Sequence, residues 1–488
     1  MRAAFAISLL AVACAAAGCG RSLQRPERNL TVDAPQAWTG AVTLPESGAE
    51  GDWWAYFGDA GLDQAMQRAL ERNYDLIAAA QRVEAARAQV RIAGAGELPE
   101  ANLAVSRGRE RRNFVGFPIP GSEDRILSTT YTNATLGLNL SWEPDVWGRI
   151  KSGKLAAIAD AQSREADLHA ARLSLTGQVS KAWFAAIEAS HQVALARATL
   201  ESYETSAERI RARFESGLKP SLDLRLALTE VANAEAQLRQ RLEQRDRAIR
   251  QLEILLGQYP DGDHELAEDL PQVPRGVPAG LPSELVHRRP DLAAAERRLL
   301  AADARISQAK SELRPRFTLT SGTGTASDTL KDLLNNDVFV WNLIGGLTQP
   351  LFNNGRLKAG VQQNEALAAE SAATYESLML TAYQEVETAL AAENFLAEQE
   401  TALETATKQS QAARDLAEER YRLGLADIIT LLSSQRAALN AESQLLALRR
   451  LRLENRVNLH LALGGGFRMD SLAPNTTNND SQTGRTRL

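Results

Sequence analysis

Tyr131-Thr132-Asn133-Ala134-Thr135-Leu136-Gly137-Leu138-Asn139-Leu140-Ser141-Trp142 is the stretch whose reading decides the fold class. Ala134, Leu136, Leu138, Leu140 and Trp142 share one parity; Asn133, Thr135, Gly137, Asn139 and Ser141 share the other. Successive strand residues point to opposite faces, so this alternation predicts a strand with one apolar and one polar face. Residues 339–348 repeat the parity: Phe339, Trp341, Leu343 and Leu347 oppose Asn342, Gly346 and Thr348, with Val338, Val340 and Ile344 blurring it. Shorter alternating partners precede each, at 101–109 (Leu103 and Val105 against Asn102 and Ser106) and 317–323.

A half-buried soluble sheet gives the same alternation. Two features favour a membrane instead. The polar face is Asn, Thr, Ser and Gly, which suit the wall of a water-filled lumen. The apolar face ends in Trp142 and carries Trp341, as an aromatic girdle would. Four strands cannot close a barrel, which needs about eight, and open sheet edges are not tolerated in lipid. The strands therefore predict an oligomer in which each copy supplies a sector. Leu136, Leu138, Leu140, Trp142, Phe339, Trp341 and Leu343 are the candidate lipid-facing residues.

Outward from the strands, the chain is written twice. At a separation of 207 residues, Gly148-Arg149-Ile150-Lys151 meets Gly355-Arg356-Leu357-Lys358. The same separation pairs Arg213-Phe214 with Arg420-Tyr421, Gly217-Leu218 with Gly424-Leu425, and Leu256-Gly257 with Leu463-Gly464. Nearer each start it is 216 residues, pairing Asp75-Leu76 with Asp291-Leu292 and Pro99 with Pro315. The extra residues of the first copy fall in the polar stretch 109–128, which reads as a loop. Each copy runs helix (about 60–95; about 291–313), two strands, a very long helix, a Gly-Leu turn and a returning helix. From 149 to 216 there is no Pro and only Gly153 and Gly177 interrupt good helix formers. Such a helix spans on the order of 100 Å, a length used by coiled coils and helical tubes.

The first residues read as a secretion signal: Arg2, then an apolar run to Ala17 that is shorter than the ~20 residues a spanning helix needs. Ala16-Ala17-Gly18-Cys19 is similar to a bacterial lipobox, making Cys19 the candidate lipidated residue; an ordinary cleaved signal is the alternative. The division predicted is signal 1–18, anchor and linker 19–59, repeats 60–257 and 283–464 around a linker 258–282, and a polar tail 465–488. The tail composition suggests disorder. A net charge of −6 argues against nucleic acid as main partner. Cys14 and Cys19 are the only cysteines and the five His are scattered, so no metal spacing, catalytic constellation or cofactor fingerprint emerges, and the chain reads as no enzyme.

The chain resembles a known family. Arg25-Pro26 after the lipobox, then Trp53-Trp54 with Phe57 and Leu62, looks like the start of the TolC-like outer-membrane factors, lipoprotein (OprM/NodT) branch. Arg288-Arg289-Pro290-Asp291-Leu292 with Ala295-Glu296 is similar to that branch's most specific motif; Pro350-Leu351-Phe352 and Gln435-Arg436 resemble further ones. The resemblance covers roughly 19–465. It implies an α+β membrane protein: a long α-helical, coiled-coil barrel plus four strands per subunit in a shared trimeric twelve-stranded β-barrel. It further implies a passive duct in a tripartite efflux system for drugs or other small molecules. Its partners would be itself as homotrimer, a periplasmic adaptor, an inner-membrane pump of the resistance–nodulation–division type, and outer-membrane lipid. Phe214, Gly217, Leu218, Tyr421, Gly424 and Leu425 become candidate adaptor contacts at the two turns. At the position where the family often has an acid that narrows the entrance stands Ser433, so the constriction candidates are Asp427, Ile429, Leu432 and Ser433. The rival reading is a lipid-anchored periplasmic coiled-coil adaptor or scaffold, which leaves the paired strands unexplained.

Overall fold

A computed structural model describes residues 35–39, 52–114, 127–273 and 282–467. The signal, Cys19 and nearly all of the tail lie outside the described residues. The helices are α1 (Ala60–Arg72), α2 (Tyr74–Ala95), α3 (Arg149–Glu215), α4 (Ser221–Leu255), α5 (Pro290–Ser311), α6 (Arg356–Arg422) and α7 (Ile428–Ala462), with one further turn at Leu285–Arg288. The strands are β1 (Glu100–Phe114), β2 (Leu127–Trp142), β3 (Arg316–Ser327) and β4 (Phe339–Thr348). The repeat holds at the level of elements: α3 and α6 each have 67 residues, α4 and α7 each 35, α2 and α5 each 22. Among the described residues no helix is long and apolar enough to cross a membrane.

The chain divides into two compact units. One comprises Ala85–Ala161 and Arg297–Ala373 and holds the sheet with the helix ends that join it. The sheet is antiparallel throughout, in the order β1-β2-β3-β4. Indole N–H groups pin its base: Trp142 Nε1 donates to the Glu97 carbonyl at 3.1 Å and Trp147 Nε1 to that of Pro315 at 2.8 Å. Small residues let the helix stumps close: Ala159, Leu300 and Ala301 form one buried cluster.

The other unit comprises Leu30–Glu84, Gln162–Glu296 and Thr374–Leu488. Its largest core gathers Trp53, Phe57, Leu62, Met66, Trp183, Phe184 and Leu252. Asp59 serves twice there: it caps α1 by accepting from Gly61 and Leu62 N–H, and takes the Trp183 indole N–H at 2.7 Å. A second core sets Tyr375, Met379 and Val386 of α6 against Leu459 of α7. Gly177, an interruption in the sequence of α3, is a close approach: a Cβ there would meet Leu461 Cδ1 at 2.4 Å.

Three expectations need correction. The helical stretch 60–95 is broken at Asn73, whose side chain caps α2 through Asp75 and Leu76 N–H and donates to the Leu255 carbonyl at 3.1 Å. The polar stretch 109–128 is not all loop: β1 runs to Phe114 and β2 starts at Leu127. Arg109–Asn113 pair with Ser128–Thr132, and both faces are polar there, so no alternation marks the strand. The shorter partners likewise extend, to Glu100–Phe114 and Arg316–Ser327, because cross-strand pairing continues past the apolar residues.

Candidate functional site

Residues opposite one another across antiparallel strands share a face. The register therefore sorts the sheet into rows. Val105–Leu136–Thr325–Phe339, Leu103–Leu138–Thr323–Trp341 and Ala101–Leu140–Ser321–Leu343 are three consecutive rows of one face, followed by Trp142–Leu319–Gly345 and Phe317–Leu347. The other face reads Asn102–Asn139–Gly322–Asn342, with Ser106–Thr135 above and Ser141–Thr320 below. Every candidate lipid-facing residue falls on the first face, joined by Leu103, Val105 and Leu319. In a single chain most of these side chains are exposed, Trp341 by 72% and Leu103 by 72%, while Leu136 and Trp142 are half-buried. Val340 and Ile344 belong to the polar face, where Val340 stands opposite Gly324, itself opposite Gly137. The outer edges of β1 and β4 are unpaired in the four-stranded sheet.

The two Gly-Leu turns close the same way. Gly217 (φ 74°) and Gly424 (φ 77°) take the left-handed conformation. Leu218 N–H donates to the Arg213 carbonyl and Leu425 N–H to that of Arg420, each at 2.8 Å, while the glycine N–H groups bond Phe214 and Tyr421 carbonyls. This is the Schellman arrangement, which satisfies the last helical carbonyls. Leu218 and Leu425 are each 73% exposed. The turns are tied together: Arg213 Nη2 donates to the Arg422 carbonyl at 3.0 Å, and Arg209 pairs with Glu418 at 3.2 Å.

Beneath the turns the equivalence fails. Phe214 is part-exposed, but Tyr421 is buried with Tyr203, Ile210, Ile428, Leu431 and Leu432. Burial, with Asp223 nearby, pushes the Tyr421 phenol up from its usual range, and Lys219 Nζ lies 4.8 Å from the ring centre. Of the constriction candidates, Asp427 caps α7 by accepting from Thr430 N–H at 2.6 Å, a bond that lowers its carboxyl pKa. Ile429 is exposed, and Ser433 turns its hydroxyl to the Thr430 carbonyl. Leu432 packs into the hairpin core, whereas Ile429 faces outward.

The Arg-Arg-Pro-Asp-Leu motif is a lock whose mechanics the sequence did not disclose. Arg289 is buried and grips Asp291 with two nitrogens (3.0 and 2.7 Å), Glu385 of α6 at 2.5 Å and the Ala462 carbonyl ending α7 at 3.2 Å. Removing one partner of such a pair strands the others. Arg289→Ala is expected to cost about 3 kcal/mol, and Arg289→Lys part of that, because an ammonium cannot bridge both groups in a fork. Thermal melting of the purified channel checks this; a lysine variant and an alanine variant both melting like wild type would remove the lock. His460, stacked on Trp53 at 5.1 Å, is pushed down to about 4 by burial and by Arg456. Among the described residues no His, Cys, Asp and Glu cluster is placed to hold a metal.

Over residues 65–258 and 281–465 the chain matches the family described as outer membrane efflux protein. It is 33% identical over 446 residues to the pyoverdine export outer membrane protein OpmQ of Pseudomonas putida, covering 90% of this chain and 93% of that one. It is 32% identical over 475 residues to the outer membrane protein OprJ of Pseudomonas aeruginosa, covering 95% and 96%. Among solved structures it is similar to the outer-membrane channel OprN, with a TM-score of 0.82 at 27% identity over 91% of this chain and 99% of that one.

Proposed function

Because the chain belongs to the outer membrane efflux protein family and is an outer-membrane channel subunit of a tripartite efflux system, we propose that three copies close their sheets into one twelve-stranded barrel. The observation that carries this is the single sheet, in which β1, β2 and β4 turn apolar residues to one face while β3 adds Thr325, Thr323 and Ser321 to it, and which has two unpaired edges. Hydrocarbon tolerates neither open edges nor unpaired strand groups, and four strands enclose nothing. Joining β1 of one copy to β4 of the next removes every edge, sets Leu138 and Trp341 against lipid, and lines the lumen with Asn139 and Asn342. The duct is passive; energy comes from an inner-membrane pump of the resistance–nodulation–division type, reached through a periplasmic adaptor that meets Leu218 and Leu425. Ile429 and Asp427 stand at the narrow entrance. The scaffold alternative gives no use to a sheet so divided. The test is the oligomer in outer-membrane extracts: a sodium dodecyl sulfate-resistant, heat-modifiable trimer supports the duct, and a water-soluble monomer after loss of Cys19 supports the scaffold.

Lipid attachment at Cys19 adds an anchor to this reading. Palmitate is expected to label the wild-type protein and not Cys19→Ser; equal labelling of both would remove the anchor. The variant should still reach the membrane in part, since inserted strands hold it there independently of an acyl chain.

A further inference from the structure

The β1–β2 hairpin outruns its neighbours. Arg107–Ala134–Ser327 is the last row that β3 shares; beyond it β1 continues to Phe114 and β2 starts back at Leu127. On the parity that carries Leu103 and Val105 lower down, β1 carries Arg107 in that last shared row and Arg109 and Arg111 in the projecting part. Alternate strand residues stand about 6.8 Å apart, so the three guanidinium groups form a ladder along one face. All three are exposed, and among the described residues none pairs with a carboxylate; Arg111 Nη2 donates to Ser128 Oγ at 2.8 Å. The acid of this segment, Glu110, lies on the opposite parity and is held by the Tyr131 hydroxyl and by Arg112 at 3.0 Å.

Beside the ladder, the 3-10 turn Leu330–Leu334 folds over the same face. Thr325, which shares the row of Leu136 and Phe339, donates its hydroxyl to the Leu333 carbonyl at 2.6 Å, and Leu333 is buried. That leaves Leu330 and Leu334 outward, Leu334 88% exposed. The strand ends at Phe114 and Leu127 and the connection from β3 to β4 lie at the end of the sheet away from the helices, which join at Glu100, Trp142, Arg316 and Thr348. The apolar face thus ends, at that side, in a rim of arginines and leucines.

We propose that this rim binds the phosphate-bearing head groups of the glycolipid that forms the outer leaflet of the outer membrane. Guanidinium groups grip phosphate oxygens bidentately, three at regular spacing suit a head group with more than one phosphate, and the neighbouring leucines meet its acyl chains. The inference rests on the reading that the Leu138 and Trp341 face meets lipid.

The test uses the full-length protein extracted from outer membranes in mild detergent, with bound phosphorylated glycolipid measured per trimer by mass spectrometry. The triple variant Arg107→Gln, Arg109→Gln, Arg111→Gln is expected to retain about a hundredfold less than wild type, since each arginine near an anionic surface adds about a fivefold factor and the three compound. Arg112→Gln, on the opposite face, should retain the wild-type amount. Adding back the bis-phosphorylated glycolipid should raise the melting temperature of the wild-type trimer, and the dephosphorylated form should not. Wild-type retention in the triple variant overturns the rim, as does equal stabilisation by the dephosphorylated lipid. Loss in Arg112→Gln but not in the triple variant reverses the two faces, and the lipid-face reading falls with it.

Discussion

Leu138→Arg is expected to cost about 2–4 kcal/mol of barrel stability, while Asn139→Arg leaves assembly close to wild type. The two residues are neighbours in sequence and opposite in parity. Leu138 stands in the row Leu103–Leu138–Thr323–Trp341, inside the apolar band. Arginine there must bring its charge into hydrocarbon or drag its side chain out to the interface, and a trimer carries the change three times. Asn139 stands in the row Asn102–Asn139–Gly322–Asn342, where Asn342 Oδ1 already accepts the Gly322 N–H at 2.7 Å. A guanidinium on that side projects into water. The measurement is the fraction of detergent-resistant trimer in purified outer membrane for each variant. Equal assembly of the two would mean that the faces are not lipid and lumen. The ordering Asn139→Arg worse than Leu138→Arg would mean that they are exchanged.

That pair of residues also shows what was legible in the sequence. The parity of β2 survives in the structure because half of its residues are apolar and half small or polar, a contrast that a one-residue slip would invert. The parity of β4 is blurred by Val340 and Ile344; Val340 sits opposite Gly324 and Ile344 opposite Thr320, so only the first of them faces a glycine on the polar face. A single strand cannot reveal its partner's glycine. The hairpin extension past Arg107 was missed for the opposite reason, since both of its faces are polar and Thr and Tyr residues alone mark it. The repeats were readable wherever a backbone conformation demands glycine, at 217 and 424. They were less readable at Asn73, where a side-chain cap interrupts an otherwise continuous helical composition. The burial of Leu432 and Tyr421 is not legible in the sequence because exposure at a helix end depends on the neighbouring hairpin. Tyr421 packs against Tyr203 and Ile210 of a chain segment some two hundred residues away. The Arg289 motif was visible as a motif, but its partner Glu385 and the Ala462 carbonyl are distant in sequence and come together only by folding.

Gly424→Trp is expected to leave a folded, trimeric, membrane-inserted protein that no longer supports efflux. Gly424 has φ 77°, a conformation that costs a residue with a Cβ on the order of 1 kcal/mol. Apart from its chain neighbours, no atom lies within 4 Å of where that Cβ would stand, so the added side chain starts into open space beside the exposed Leu425. The hairpin core beneath, with Tyr421, Ile428 and Leu431, keeps its contacts. What changes is the surface offered to a partner, which an indole at the tip holds away. Gly424→Ala separates the two effects, because it carries the same backbone cost without the bulk. Three quantities decide the matter: trimer yield in purified outer membrane, in-cell crosslinking from Leu425→Cys to the adaptor, and efflux. With tryptophan, yield should hold while crosslinking and efflux fall together; with alanine, all three should stay near wild type. Alanine failing as badly as tryptophan would locate the defect in the turn's own conformation. Crosslinking retained while efflux fails would move it to the entrance near Ile429. Loss of trimer in both variants would make the turn a folding element and remove its role as a docking surface.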